Sequence, residues 1–312
     1  MADAKAPTYT GIFNNVRTIG QLLAGDRLKW QTELAVGAPS LPFMLHLSCF
    51  VHYTPHIPLL AQQILERIGI DCPILGGPEN CCGAIHVHMG DAALGEQAAR
   101  IGIGGFRRAR PTTILSVCPD CDEMFAQFMP KIAPFRHSNI SEIFVEQLAK
   151  LESIMQPVNR RVMIHSHDSN TQRQRDKSNI ETVLRAIPGL EIVETKHAGG
   201  IGPHCQILAP MPPPLQDAMF DEAVALGVDT LIVPYHSCYR QHLKCELRWP
   251  VNVQHYISLI GESLGLHEEE EYKKLRLLDN VDDAVEMLRP RFEPLGYTPE
   301  QVRPLIEWAV YC

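Results

Sequence analysis

Thr112-Thr113-Ile114-Leu115-Ser116-Val117-Cys118-Pro119-Asp120-Cys121 is a short β-branched, apolar run that stops at a CxxC. A run of this length and composition, bounded by a turn signal, reads as a buried strand. Two earlier stretches end in the same way. Pro42-Phe43-Met44-Leu45-His46-Leu47 leads to Cys49, and Cys72-Pro73-Ile74-Leu75 is broken by Gly76-Gly77-Pro78 just before Cys81-Cys82-Gly83. Residues 57–68 carry Leu60, Ile64, Leu65 and Ile68 at helical spacing with Gly69 as a stop, and residues 91–108 read as a second helix. The order strand, helix, strand, helix, strand predicts an α/β fold with parallel pairing through crossover helices.

Every cysteine group sits just after a strand, and in open α/β sheets sites gather outside the carboxyl ends of strands. Cys49, Cys81, Cys82, Cys118 and Cys121 are therefore expected to converge. Thirty-one residues lie between Cys49 and Cys81, and 35 between Cys82 and Cys118. Vicinal cysteines rarely pair with each other, because their Cβ vectors diverge, and Gly83 leaves the backbone free to turn around a bulky group. A structural zinc site needs four ligands, so five thiols fit an iron–sulfur centre better. The bland alternative is five unrelated core cysteines. Cys72 lies inside its strand and reads as a core residue.

The 312 residues carry ten cysteines and a formal charge of −8. That charge argues against a nucleic-acid partner, which needs a basic face. The first residues, MADAKAPTYTG, lack the apolar core of a secretory signal, and no run of about 18 apolar residues is present. The expectation is a cytoplasmic chain, where grouped thiols mean metal or redox chemistry rather than disulfides. No Gly-x-Gly-x-x-Gly fingerprint for a flavin or nicotinamide appears, so electrons are expected to reach the chain through another subunit.

An internal repeat appears when the chain is slid against itself by 117 to 123 residues. Met44-Leu45-His46 recurs as Met163-Ile164-His165, and residues 64–68 recur as 183–187. Cys81-Cys82 falls on His204-Cys205, and the CxxC falls on Tyr235-His236-Ser237-Cys238 after the strand-like run 230–233. The expectation is a duplicated, pseudo-symmetric pair of modules: an extension over 1–41, modules over 42–155 and 156–265, and a helical tail over 266–312. The second module has lost most of its thiols. Cys205 and Cys238 remain, with His165, His167, His204, His236, His242 and Cys245 nearby. Three readings stay open: a relic whose polar groups bond one another, a smaller metal site (zinc or a histidine-ligated two-iron cluster), or a histidine-lined substrate or partner pocket.

The first-half pattern of Cys, Cys-Cys-Gly and Cys-x-x-Cys resembles the cysteine-rich CCG domain. That domain occurs in the B subunit of heterodisulfide reductase and in lactate and glycolate oxidation subunits, anaerobic glycerol-3-phosphate dehydrogenase and some succinate dehydrogenases. The resemblance spans residues 42–265. It implies that Cys49, Cys81, Cys82, Cys118 and Cys121 hold one noncubane [4Fe-4S] cluster that cleaves or forms disulfides. Typical B subunits carry two intact motifs, and the depleted second motif departs from them. In this the chain is similar to B-type subunits of heterodisulfide-reductase-like complexes of sulfur-oxidising bacteria. That likeness implies a flavin-containing A-type partner, a ferredoxin-like C-type partner and a lipoate-carrying protein as sulfur donor. The rival reading is an electron-transfer or scaffold subunit that transforms nothing itself. An open, histidine-lined cavity at the thiols would favour the enzyme, and an apolar seal would favour the wire.

Elsewhere, His86 and His88 alternate after the Cys-Cys-Gly and are candidates to line the cluster pocket. Residues 16–23 suggest a helix followed by a polar stretch, the extension being read as a surface arm packed on the body or as a contact to a partner subunit. Glu268-Glu269-Glu270-Glu271 reads as a solvated helix start. Residues 281–288 and 298–308 read as amphipathic helices, the second with a capping box at Thr298 and Gln301. Cys312 reads as a free terminal thiol.

Overall fold

The computed structural model describes residues 9–28, 40–77, 80–132, 135–202, 204–205 and 209–311; Pro78, Pro203 and Cys312 lie outside them. Eight strands form two sheets. β1 (Phe43–His46), β2 (Ile74–Leu75), β3 (Thr113–Ser116) and β4 (Arg136–Asn139) pair in the order β2-β1-β3-β4. β5 (Arg160–Ile164), β6 (Leu190–Ile192), β7 (Thr230–Val233) and β8 (Asn252–His255) pair in the order β6-β5-β7-β8. All six pairings are parallel, and the two orders are identical once the second set is renumbered. This is the α/β architecture expected from the sequence.

Period-two alternation sorts the strand side chains between two faces. Met44 and Ile114 pack with Phe106 and Phe125 on one face of the first sheet, while Leu45 and Leu115 share a core with Val162, Ile232 and Ile257 from the second. The shared core is built reciprocally. The helix after β1, His56–Arg67, meets the helix after β8, Tyr256–Ser263, closely enough that a Cβ on Gly261 would stand 3.1 Å from Leu60. The helix after β4, Ile140–Glu146, meets the helix after β5, Thr171–Arg185, where the Asn179 amide donates to Ser141 at 3.3 Å. Each sheet also ends in the same device. Asn139 accepts a bond from the amide of Ser141, and His255 Nδ1 accepts one from Ile257, so both cap the helix that follows.

Along its described length the extension packs on the body of the protein. Tyr9–Ala24 is a helix that buries Ile12, Val16, Ile19, Leu22 and Leu23 in the same apolar cluster as Leu288, Val302 and Ile306 of the tail. Asn15 ties the two ends: its amide donates to the Leu305 carbonyl at 3.0 Å, and its carbonyl accepts from Tyr53 at 2.5 Å. The tail helices are Val281–Phe292 and Pro299–Ile306, the latter with the Thr298–Gln301 capping box. The glutamate run differs from a solvated start. Glu268 pairs with Arg27 at 2.6 Å, Glu270 accepts from Tyr239 at 2.7 Å, and Glu271 meets Arg291 at 2.9 Å. Those cations and hydroxyls come from distant segments, which local sequence does not reveal. No described helix is long and apolar enough to cross a membrane.

Candidate metal and redox centre

The carboxyl ends of β1, β2 and β3 deliver the five first-module cysteines to one place. Cys49, Cys81, Cys82, Cys118 and Cys121 all line a single cavity of ≈ 340 Å³. Their sulfurs form a row rather than a knot: Cys49 contacts Cys81, Cys81 contacts Cys82, Cys82 lies 3.2 Å from Cys121, and Cys121 contacts Cys118. Four are buried, and Cys49 is half-buried. Hydrogen bonds from Cys49 and Cys82 hold the Cys81 thiol well below its usual pKa, while the same contact with Cys81, together with burial, pushes Cys49 well above. Cys118 is drawn down to about 5 by Cys121, against the opposing effect of burial and with help from His236. Two thiols of the row, Cys81 and Cys118, are thus shifted towards the thiolate, while Cys49, Cys82 and Cys121 are held protonated by their neighbours and by burial.

Glycine packing sets the shape of the Cys-Cys-Gly turn. Gly83 has φ +84°, and a Cβ there would stand 2.0 Å from the Gly95 carbonyl oxygen. A Cβ on Gly102 would stand 2.5 Å from the Cys81 carbonyl oxygen. Gly95 and Gly102 belong to the helix Ala92–Ala109, so this helix lies directly against the ligand turn. The sulfur row, the turn held from behind and the cavity in front fit a polynuclear iron–sulfur group better than a single ion.

The cavity is mostly apolar, with Ile12, Phe50, Ile85, Met89 and Trp308 among its walls. His88 reaches it and pairs with Asp120 at 3.5 Å, which raises the His88 pKa against its burial. Asp120 also meets Arg173, from the second module, at 3.1 Å. His86 does not line the cavity; it is buried with its ring near Phe13. Alternating positions would share one face of a strand, but these two histidines sit on a helical turn, Ala84–His88, where positions two apart face different ways. His46, at the end of β1, stands beside the site at the position that recurs as His165 in the repeat. It packs edge-on to Phe106 and Phe125 behind the thiols, and burial lowers its pKa to about 4.

In the second module, His165, His167, Cys205 and Cys238 are buried with their donor atoms all within 4.8 Å of one another. His165 Nε2 lies 3.4 Å from Cys205 Sγ, and His167 Nε2 lies 3.2 Å from Cys238 Sγ. His242 approaches Cys205 at 3.5 Å. His204 is outside this group. His236 also leaves it: its side chain lines the first-module cavity and bonds Cys118. His236 and Cys238 are two positions apart on the helix His236–His242, and so point into different sites. Sequence spacing places His236 beside Cys238 without showing the face it presents. Behind them, Tyr235 donates to Asp176 at 2.9 Å, and burial, reinforced by Asp122, raises Asp176 to about 8.

A cysteine-bearing, parallel α/β module with its thiols at strand ends defines the class, and likeness to known proteins agrees. Residues 43–126 match the family described as CCG, the cysteine-rich domain. Those residues carry the cysteine-rich domain, and the chain as a whole is similar to heterodisulfide reductase subunits. It is 23% identical over 288 residues to the D subunit of the dihydromethanophenazine:CoB–CoM heterodisulfide reductase of Methanosarcina acetivorans, covering 84% of this chain and 68% of that one. The corresponding D subunit from Methanosarcina barkeri is 22% identical over 262 residues, 77% of this chain and 63% of that one. The B subunit of the fumarate reductase (CoM/CoB) of Methanothermobacter marburgensis is 26% identical over 156 residues, 48% of this chain and 30% of that protein. The chain thus spans about a third to two thirds of the length of these relatives. A crystal structure of a hypothetical protein from Helicobacter pylori shares the fold, with a TM-score of 0.53 at 10% identity over 88% of this chain and 57% of that one.

Proposed function

We propose that the chain is the iron–sulfur redox subunit of a heterodisulfide-reductase-like complex, with one noncubane [4Fe-4S] cluster held by Cys49, Cys81, Cys82, Cys118 and Cys121. The observation that carries this reading is the row of five sulfurs along one open cavity. Bound there, the cluster would supply electrons to, or take them from, a sulfur–sulfur or sulfane-sulfur group of the substrate. The protein's own part is access and electrostatics. Ile12, Ile85, Met89 and Trp308 exclude water around the substrate's carbon chain. His88 and His236 bring ring nitrogens to the cavity, and Asp120 fixes the first of them. A cavity that is open and carries two histidines favours a catalytic role over an electron wire.

Electrons come from partner subunits, a ferredoxin-like C-type chain and a flavin-containing A-type chain, and a lipoate-carrying protein fits as sulfur donor. The decisive experiment is iron and acid-labile sulfide per chain after anaerobic purification, with EPR of the oxidised protein. Four irons and a signal that changes on adding thiol substrate are expected. Iron-free protein under those conditions would sink the proposal.

A further inference from the structure

We propose that His165, His167, Cys205 and Cys238 bind one zinc ion as a closed tetrahedral site in the second module. This site is independent of iron in the first module. Zinc bound at ~2.3 Å to sulfur and ~2.0–2.1 Å to nitrogen spaces its ligands along tetrahedral edges of about 3.3–3.8 Å. The sulfur-to-nitrogen separations of 3.2 and 3.4 Å are already close to those edges. All four residues are buried, with at most 2% of their surface exposed, so no position is left open to solvent as a catalytic zinc would need.

The surroundings point the same way. His167 Nδ1 lies 3.0 Å from the Ile201 carbonyl and 3.1 Å from that of Gly202. Two carbonyls can only accept, so Nδ1 carries the proton and the lone pair of Nε2 faces Cys238. This is the tautomer that supporting hydrogen bonds fix in metal-binding histidines. Cys205 adopts φ +65°, a left-handed backbone that a non-glycine residue seldom takes, and this aims its sulfur into the group. His242 is held at Nδ1 by Gln216 at 2.9 Å, leaving Nε2 beside the Cys205 sulfur as a supporting contact rather than a fifth ligand.

A two-iron cluster would place both thiolates on one iron and both imidazoles on the other. Here each thiol sits against a ring nitrogen and all four donors lie within 4.8 Å, which is the arrangement of a single ion.

The test is metal analysis of the full chain expressed with zinc, as wild type, as Cys205→Ala/Cys238→Ala and as His204→Ala. Expected are one zinc per chain in wild type and in His204→Ala, and none in the double variant, with iron unchanged in all three. Zinc missing from wild type, kept by the double variant or lost from His204→Ala would overturn the site, as would iron lost together with the two thiols. Iron missing from all three proteins would count against the first-module cluster alone. Should the double variant not fold, cobalt-loaded wild type decides: tetrahedral bands with thiolate charge transfer support the site, and an octahedral or absent spectrum refutes it.

Discussion

His236 belongs to the second module and Cys118 to the first, yet the imidazole hydrogen-bonds the thiol across the boundary between them. The depleted half of the repeat therefore completes the cavity of the intact half. The helix His236–His242 serves both sites, with His236 and Ser237 at the five-thiol cavity and Cys238 among the buried histidines.

His236→Ala should separate holding metal from using it. Iron and zinc per chain should stay at wild-type values, while reductant-driven turnover falls about 10–100-fold, as for supporting groups around metal sites. Wild-type rates in the variant would show that the contact with Cys118 is idle.

Cys81→Ser and Cys118→Ser should each strip the iron and the broad visible absorption. Cys72→Ser should keep both, because Cys72 is buried and no part of the cavity wall. Its thermal midpoint should drop instead, since a hydroxyl would replace a thiol whose pKa burial already pushes up to about 12. Bleaching of Cys72→Ser to the same extent would refute the ligand assignment.

Three glycines near the thiols should respond differently to one added methyl. Gly83→Ala and Gly102→Ala drive a Cβ into backbone carbonyls and should cost about 1–3 kcal/mol each, with loss of iron. Gly104→Ala, in the same helix but facing open space, should be neutral or stabilise by up to about 1 kcal/mol. Urea unfolding of the three variants, read with their iron content, checks the ranking.

Asp176 should make stability fall as pH rises. Its carboxyl titrates at about 8 in the fold, through burial and then the neighbouring Asp122, against 3.8 as its ordinary value. Below about pH 4 both states hold the proton and the effect vanishes. Between about 4 and 8 the folded state holds a proton that the unfolded chain has released. Each pH unit of that window thus weakens the fold by at most about 1.4 kcal/mol. Asp176→Asn should flatten the slope between pH 5 and pH 8 in urea titrations, and an unchanged slope would assign it to another group.

The central strands are legible in the sequence because they are buried on both faces and read as continuous apolar runs, as in Ile114-Leu115 and Leu231-Ile232. The edge strands β4 and β8 are not. Arg136-His137-Ser138-Asn139 and Asn252-Val253-Gln254-His255 carry polar residues that bond to neighbouring segments: Asn139 donates to Asp122 at 2.6 Å, and Gln254 accepts from Arg160 at 2.9 Å. The thiols of the first site can be found from sequence because most of them follow such a central element. Sequence distance gives His236 a neighbour but not a direction, since that depends on how one sheet faces the other.

The winding of Tyr9–Ala24 against the tail has a consequence for biogenesis. Cys121 is made early, but Trp308, which closes part of the cavity wall, is made late. Roughly 190 residues separate them, which at ~5–20 residues per second is about 10–40 s on the ribosome. Through that interval the five thiols face a vestibule still missing one wall. A carrier delivering iron and sulfide would find easier entry to the nascent chain than to the finished molecule, so loading during synthesis should outpace loading of purified apoprotein.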